Sequence, residues 1–236
     1  MHLNQVISGI LGSISFAFWI IVFTPQIYEC YRRKSSHGLS LAFVVLWLTG
    51  DIFNVIGAIL QQALPTILLL AFYYTLADAV LLAQTLFYKD RLPEEEEPLL
   101  GETEQKSPTM RYIAYVIGVT LVGIAGYFAM AKPVDDDAPP IPISFWGQVN
   151  GWLCAVLYLA SRVPQILLNY KRKSTDGISV LFFVFAVLGN ITYVGSILAA
   201  GISMHDLILN ASWIVGSVGA MFLDFVIFAQ FKLYSK

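Results

Sequence analysis

Charge is scarce in this 236-residue chain: Lys, Arg, Asp and Glu make up 13% of it, against 57% apolar residues. A soluble domain of this length could not hide so much apolar surface, and an exposed remainder would drive association. Cysteine is nearly absent. Cys30 ends an apolar run beside a basic cluster, whereas Cys154 lies well before the next one, so neither a disulfide nor a zinc site is expected. The three histidines, His2, His37 and His205, are scattered at predicted helix ends. No phosphate-binding loop, metal-ligand cluster or nucleophile–base constellation occurs, which speaks against an enzyme, a cofactor or a metal site.

What is present is a set of apolar runs near the roughly 20 residues needed to cross a bilayer. They cover about 6–28, 39–62, 66–88, 112–131, 143–168, 178–200 and 207–231. Seven spanning helices in a lipid bilayer are therefore expected. The long polar stretch, 89–109, holds Glu94-Glu95-Glu96-Glu97 and has the composition of a loop.

The chain also repeats itself. Thr24-Pro25-Gln26-Ile27 and Val163-Pro164-Gln165-Ile166 each close an apolar run and precede a basic cluster and a Ser/Gly turn. A shift of 139 residues superposes 25–55 on 164–194 with 14 of 31 positions identical. With a further slip of seven residues, Asp78 falls on Asp224, Gln84 on Gln230 and Tyr88 on Tyr234. This is an internal duplication. The expected architecture is an all-α membrane protein of two three-helix repeats joined by a linking helix, a 3+1+3 layout. Its segments are a first repeat over 1–91, an acidic loop over 92–110, a linking helix and turn over 111–142, and a second repeat over 143–236. An odd number of helices joins the triplets, so the repeats run parallel, related by an axis along the membrane normal.

Basic residues set the orientation. Arg32, Arg33, Lys34, Lys89, Arg91, Lys106, Arg111, Lys171, Arg172, Lys173, Lys232 and Lys236 all follow an odd-numbered span, and Lys132 lies opposite. The positive-inside rule places the C-terminus and the acidic loop in the cytosol and the N-terminus in a lumen. The same rule accounts for the basic clusters without any nucleic-acid partner.

Four charges fall inside apolar spans: Asp51, Asp78, Arg162 and Asp224. Each costs at least about 2.5–3.5 kcal/mol if central and unpaired, so such residues face a bundle interior or a wet cavity. Three acids against one base leave room for a cation or a proton; the plain alternative is an Asp–Arg pair that holds helices together. Helical spacing puts Asn54 on the face of Asp51, and Tyr74 on that of Asp78, while Asn190 and Tyr193 occupy the repeat positions of Asp51 and Asn54. Carboxylate and amide oxygens with an aromatic face suit an ammonium ion. Asp51, Asn54, Tyr74, Asn190 and Tyr193 are thus candidate substrate contacts. Asp224 and its counterpart Asp78 are candidates for proton exchange. Pro25 and Pro164 each remove an amide donor from a spanning helix, and paired interruptions in two halves point to hinges of an alternating-access carrier. Gln26 and Gln165 are expected to bond the backbone that the prolines loosen.

Seven spans in a 3+1+3 pattern with Pro-Gln closing spans one and five resemble the PQ-loop family, which includes cystinosin and is related to the SWEET sugar transporters. Gly50-Asp51-Ile52-Phe53-Asn54, Tyr73-Tyr74-Thr75-Leu76-Ala77-Asp78 and Ser161-Arg162-Val163-Pro164-Gln165 resemble its lysosomal and vacuolar cationic amino acid transporters. The resemblance implies export of lysine, arginine or histidine from lumen to cytosol, and a proton-linked aspartate at Asp224. One departure is that Asn190 stands where the first repeat has Asp51, which excludes a symmetric two-carboxylate role there. Glu95, Leu99 and Leu100 resemble an adaptor-binding dileucine signal, implying a clathrin-adaptor partner and a lysosomal or vacuolar membrane. The competing readings are a cystine or sugar carrier on the same fold, and a nutrient sensor whose loop recruits a cytosolic protein.

Overall fold

A computed structural model describes residues 3–60, 65–89, 108–130, 143–200 and 203–234. Its elements are α1 (Leu3–Ile21), α2 (Thr24–Arg33), α3 (Leu41–Leu60), α4 (Pro65–Phe87), α5 (Pro108–Met130), α6 (Phe145–Arg172), α7 (Val180–Ala200) and α8 (Met204–Leu233). Helices α1 and α2 form one span, so among the described residues seven helices are long and apolar enough to cross a membrane.

The two prolines act differently. Pro25 sits in the first turn of α2, behind a break at Val22 and Phe23, where its missing N–H costs nothing. Tyr73 on α4 donates its hydroxyl to the carbonyl of Ile20, close to that break. Pro164 instead lies inside an unbroken α6. The expectation of equivalent interruptions therefore holds for the first repeat alone in this conformation. Downstream the repeats agree again. α2 and α6 stop at Lys34 and Lys173, both left-handed (φ 49° and 53°), with each ammonium 3.5–3.6 Å from the centroid of the tyrosine ring three residues before it.

The repeats pack against each other more than within themselves. α1 lies on α7, and α3 on α6, while α4 and α8 back their own triplets and α5 covers α1. Close approach needs small residues: a methyl at Gly123 would come within 2.6 Å of the Ile14 Cα. Repeat-equivalent residues meet on the axis between the halves. The rings of Phe43 and Phe182 are 6.2 Å apart. A Cβ on Gly38 would lie 2.7 Å from the Gly177 Cα, and Gly177 has φ +88°, so both turns need glycine.

The two glutamines complete this symmetry. Gln26 Nε2 donates to the Gly177 carbonyl (3.1 Å) and its Oε1 accepts from the Ser179 amide (2.8 Å). Gln165 Nε2 donates to the Gly38 carbonyl (3.0 Å) and its Oε1 accepts from the Ser40 amide (2.8 Å). The glutamines thus bond the turn of the opposite repeat, rather than the backbone loosened by their own proline. Four bonds close the bundle at the end where the basic clusters lie.

Candidate functional site

The buried face of α3 runs through Phe43, Trp47, Gly50, Asp51, Asn54 and Ala58, a helical stripe facing the other half. Asp51 is ten residues from Leu41 and nine from Leu60, so it sits about 15 Å from either end of its helix. Asp78, Arg162 and Asp224 lie nine or ten residues from the matching ends of α4, α6 and α8. All four charges are therefore level, and they are at most 1% exposed.

Contacts sort them into two groups. The Asp51 and Asp78 carboxyls are neighbours, and Tyr74 lies near Asp51. Tyr158 donates its hydroxyl to Asp51 Oδ1, but Asp51 Oδ2 and both Asp78 oxygens find no donor among the described residues. Two neighbouring carboxyls in an apolar interior repel each other when both are charged. The second group is an ion pair: Arg162 Nε lies 3.3 Å from Asp224 Oδ1, while Asp224 Oδ2 has no partner among the described residues. The guanidinium carbon is 4.3 Å from the centroid of Trp47, and Nη1 bonds the Tyr158 carbonyl (3.3 Å) and the Ser161 hydroxyl (3.1 Å). The plain Asp–Arg alternative thus describes Asp224.

Tyr158 and Trp47 were not among the residues singled out from sequence, although spacing marks them. Tyr158 is one helical turn before Arg162, and Trp47 one turn before Asp51. Gly50 makes room for Tyr158, since a Cβ there would meet the ring at 2.7 Å. Asn54 is buried one turn along α3. Asn190 is buried on α7, and its Nδ2 has no partner among the described residues. Tyr193, partly buried, is tied to none of the four charges by a hydrogen bond or ion pair. Glu95, Leu99 and Leu100 lie outside the described residues.

A family model described as PQ loop repeat matches residues 7–67 and 146–205, one match in each repeat. The chain belongs to the PQ-loop family. Among PQ-loop proteins it is 42% identical to the vacuolar lysine transporter YPQ1 of Saccharomyces cerevisiae, over 100% of this chain and 96% of that protein. It is 40% identical to the vacuolar histidine transporter YPQ3 of the same yeast, over 98% and 93%. Human lysosomal amino acid transporter 1 homolog is 34% identical over 96% of this chain and 82% of that protein. The PQ-loop glutamines are thus among the residues that bond the halves, and the family's paired repeats frame the four buried charges.

Proposed function

We propose that this protein carries cationic amino acids from the lumen of a lysosome or vacuole to the cytosol by alternating access. The observation that carries the reading is the surplus of buried carboxyl oxygens without donors, level with one another at mid-depth between two facing repeats. With Arg162 paired to Asp224 and one proton on the Asp51–Asp78 pair, the cluster is one positive charge short. Lysine or arginine, net +1 near neutrality, supplies it. Asp51 receives a cationic group of the substrate, with Asn54 and Asn190 offering amides and Tyr74 and Tyr193 aromatic faces. Asp78 and Asp224 are the acids proposed for proton exchange, and the geometry favours Asp78, because Asp224 already has a counter-ion in Arg162. Pro25 and Pro164 are the hinges, and the N-terminus faces the lumen, as the basic residues require. The names of the vacuolar and lysosomal relatives support both cargo and compartment. The acidic loop holds the proposed adaptor signal.

The test is transport of labelled lysine, arginine, cystine and glucose in proteoliposomes, with and without a pH step. Lysine and arginine should move and glucose and cystine should not. Movement of glucose or cystine instead would replace this reading with one of the other carriers on the fold, and movement of none would favour a sensor.

A further inference from the structure

Lysine and arginine carry two cationic groups, and Asp51 accounts for one. The second needs another anionic place faced by an aromatic ring, and the site contains one that is already filled. Arg162 lies over the indole of Trp47 at 4.3 Å, with Phe43 at 5.7 Å, its Nε on Asp224 and its Nη1 on the Tyr158 carbonyl. A carboxylate, an aromatic face and a carbonyl oxygen are the groups that would recognise a ligand guanidinium or ammonium. The hold is also incomplete: a single contact at 3.3 Å leaves Asp224 Oδ2 without a donor. The other repeat has Phe23 at the position of Arg162, so the cation is not demanded by the packing of a repeat.

We propose that Arg162 is a built-in stand-in for the substrate: in the empty carrier its guanidinium occupies the Asp224–Trp47 corner, and in the loaded carrier a cationic group of the substrate displaces it. The inference rests on the cationic amino acid reading above. It gives the empty carrier a way to change sides without burying a bare carboxylate at Asp224, which would be costly. Net efflux is then possible with no amino acid on the receiving side. It also makes Arg162 an internal competitor: a stand-in that fills the corner nine-tenths of the time weakens the apparent affinity about tenfold.

The experiment compares wild type with Arg162→Gln in lysine binding to the purified protein and in transport by proteoliposomes. Glutamine removes the competitor, so lysine should bind up to about tenfold tighter. Net efflux into lysine-free buffer should fall at least about tenfold more than exchange of lysine for lysine does, because the empty carrier no longer returns. Weaker lysine binding in Arg162→Gln would overturn the proposal, since a guanidinium that grips the substrate carboxylate gives that sign. Net efflux falling no more than exchange would overturn it equally. If the glutamine variant does not fold, Arg162→Lys decides. A compact ammonium stacks less well on Trp47 than a guanidinium, so lysine binding should again tighten, and weakening would contradict the proposal. Failure of wild type itself to bind lysine or arginine would strike the underlying functional reading instead.

Discussion

Gln165 of the second repeat holds Gly38 of the first, with its Nε2 3.0 Å from the glycine carbonyl. Gln26 holds Gly177 in the mirrored way. Each glutamine contributes two bonds between halves that must separate if the bundle opens at this end. Two neutral bonds are worth about 1–3 kcal/mol net, so Gln165→Leu should raise the population open at this end by about 5- to 150-fold. Cys30 is 1% exposed beneath the turns and reports the opening. Its alkylation by N-ethylmaleimide, located by mass spectrometry, should speed up by that factor. An unchanged rate would mean that the turns stay shut for other reasons.

A flaw in the symmetry predicts a stabilising change. In the second repeat Gln165 Nε2 donates to Asn169 Oδ1 (2.9 Å), Asn169 Nδ2 to Gln230 Oε1 (2.8 Å), and Gln230 Nε2 to the Ile166 carbonyl (2.9 Å). In the first repeat Gln84 Nε2 likewise donates to the Ile27 carbonyl (3.3 Å), but Cys30 stands in place of Asn169 and Gln84 Oε1 is left without a donor. Cys30→Asn should complete the chain. The gain is about 1 kcal/mol, seen as a rise of a few degrees in Tm. A lower Tm would show that the thiol's packing outweighs the added bonds.

The two acids proposed for proton exchange can be separated. Asp78→Asn should leave lysine exchange at equal pH near the wild-type rate and abolish acceleration by an acidic lumen. Asp224→Asn leaves Arg162 buried without its counter-ion, a loss of about 3–5 kcal/mol, and should appear first as a lower Tm. A full response to the pH step in Asp78→Asn would hand the proton to Asp224.

Leu99→Ala with Leu100→Ala should move the protein from the lysosomal or vacuolar membrane to the cell surface without changing lysine transport in proteoliposomes. Unaltered location in fluorescence microscopy would mean that the match to a dileucine signal is accidental.

The seven spans and the duplication were legible because both are written in one dimension: apolar runs have a length, and a repeat has a period. Asp51, Asp78, Arg162 and Asp224 were legible because charge in an apolar span is costly wherever it lies. Partner choice was not. A period of 139 makes Gln26 equivalent to Gln165, yet it does not say which repeat's turn the glutamine meets; that depends on how the triplets face each other. The same holds for Arg162, which could pair with any of three acids. Its monodentate contact with Asp224, and Tyr158 reaching Asp51 across the interface, arise only once α6 lies between α3 and α8. Pro25 and Pro164 show a second limit. Identical dipeptides accompany a broken helix in one place and a continuous one in the other, so the dipeptide alone does not set the helix path.

Lysine binding to Asp51→Asn tests most directly whether this carboxyl receives the substrate's cation. The substitution keeps the side chain's shape and its bond from Tyr158 within reach, and removes the charge. Loss of one charge-assisted bond costs about 1.5–3 kcal/mol, so the Kd for lysine and for arginine should rise about 10- to 150-fold over wild type. Binding of both amino acids as tight as in wild type would contradict the claim that a buried carboxylate in the first repeat receives the substrate's cation.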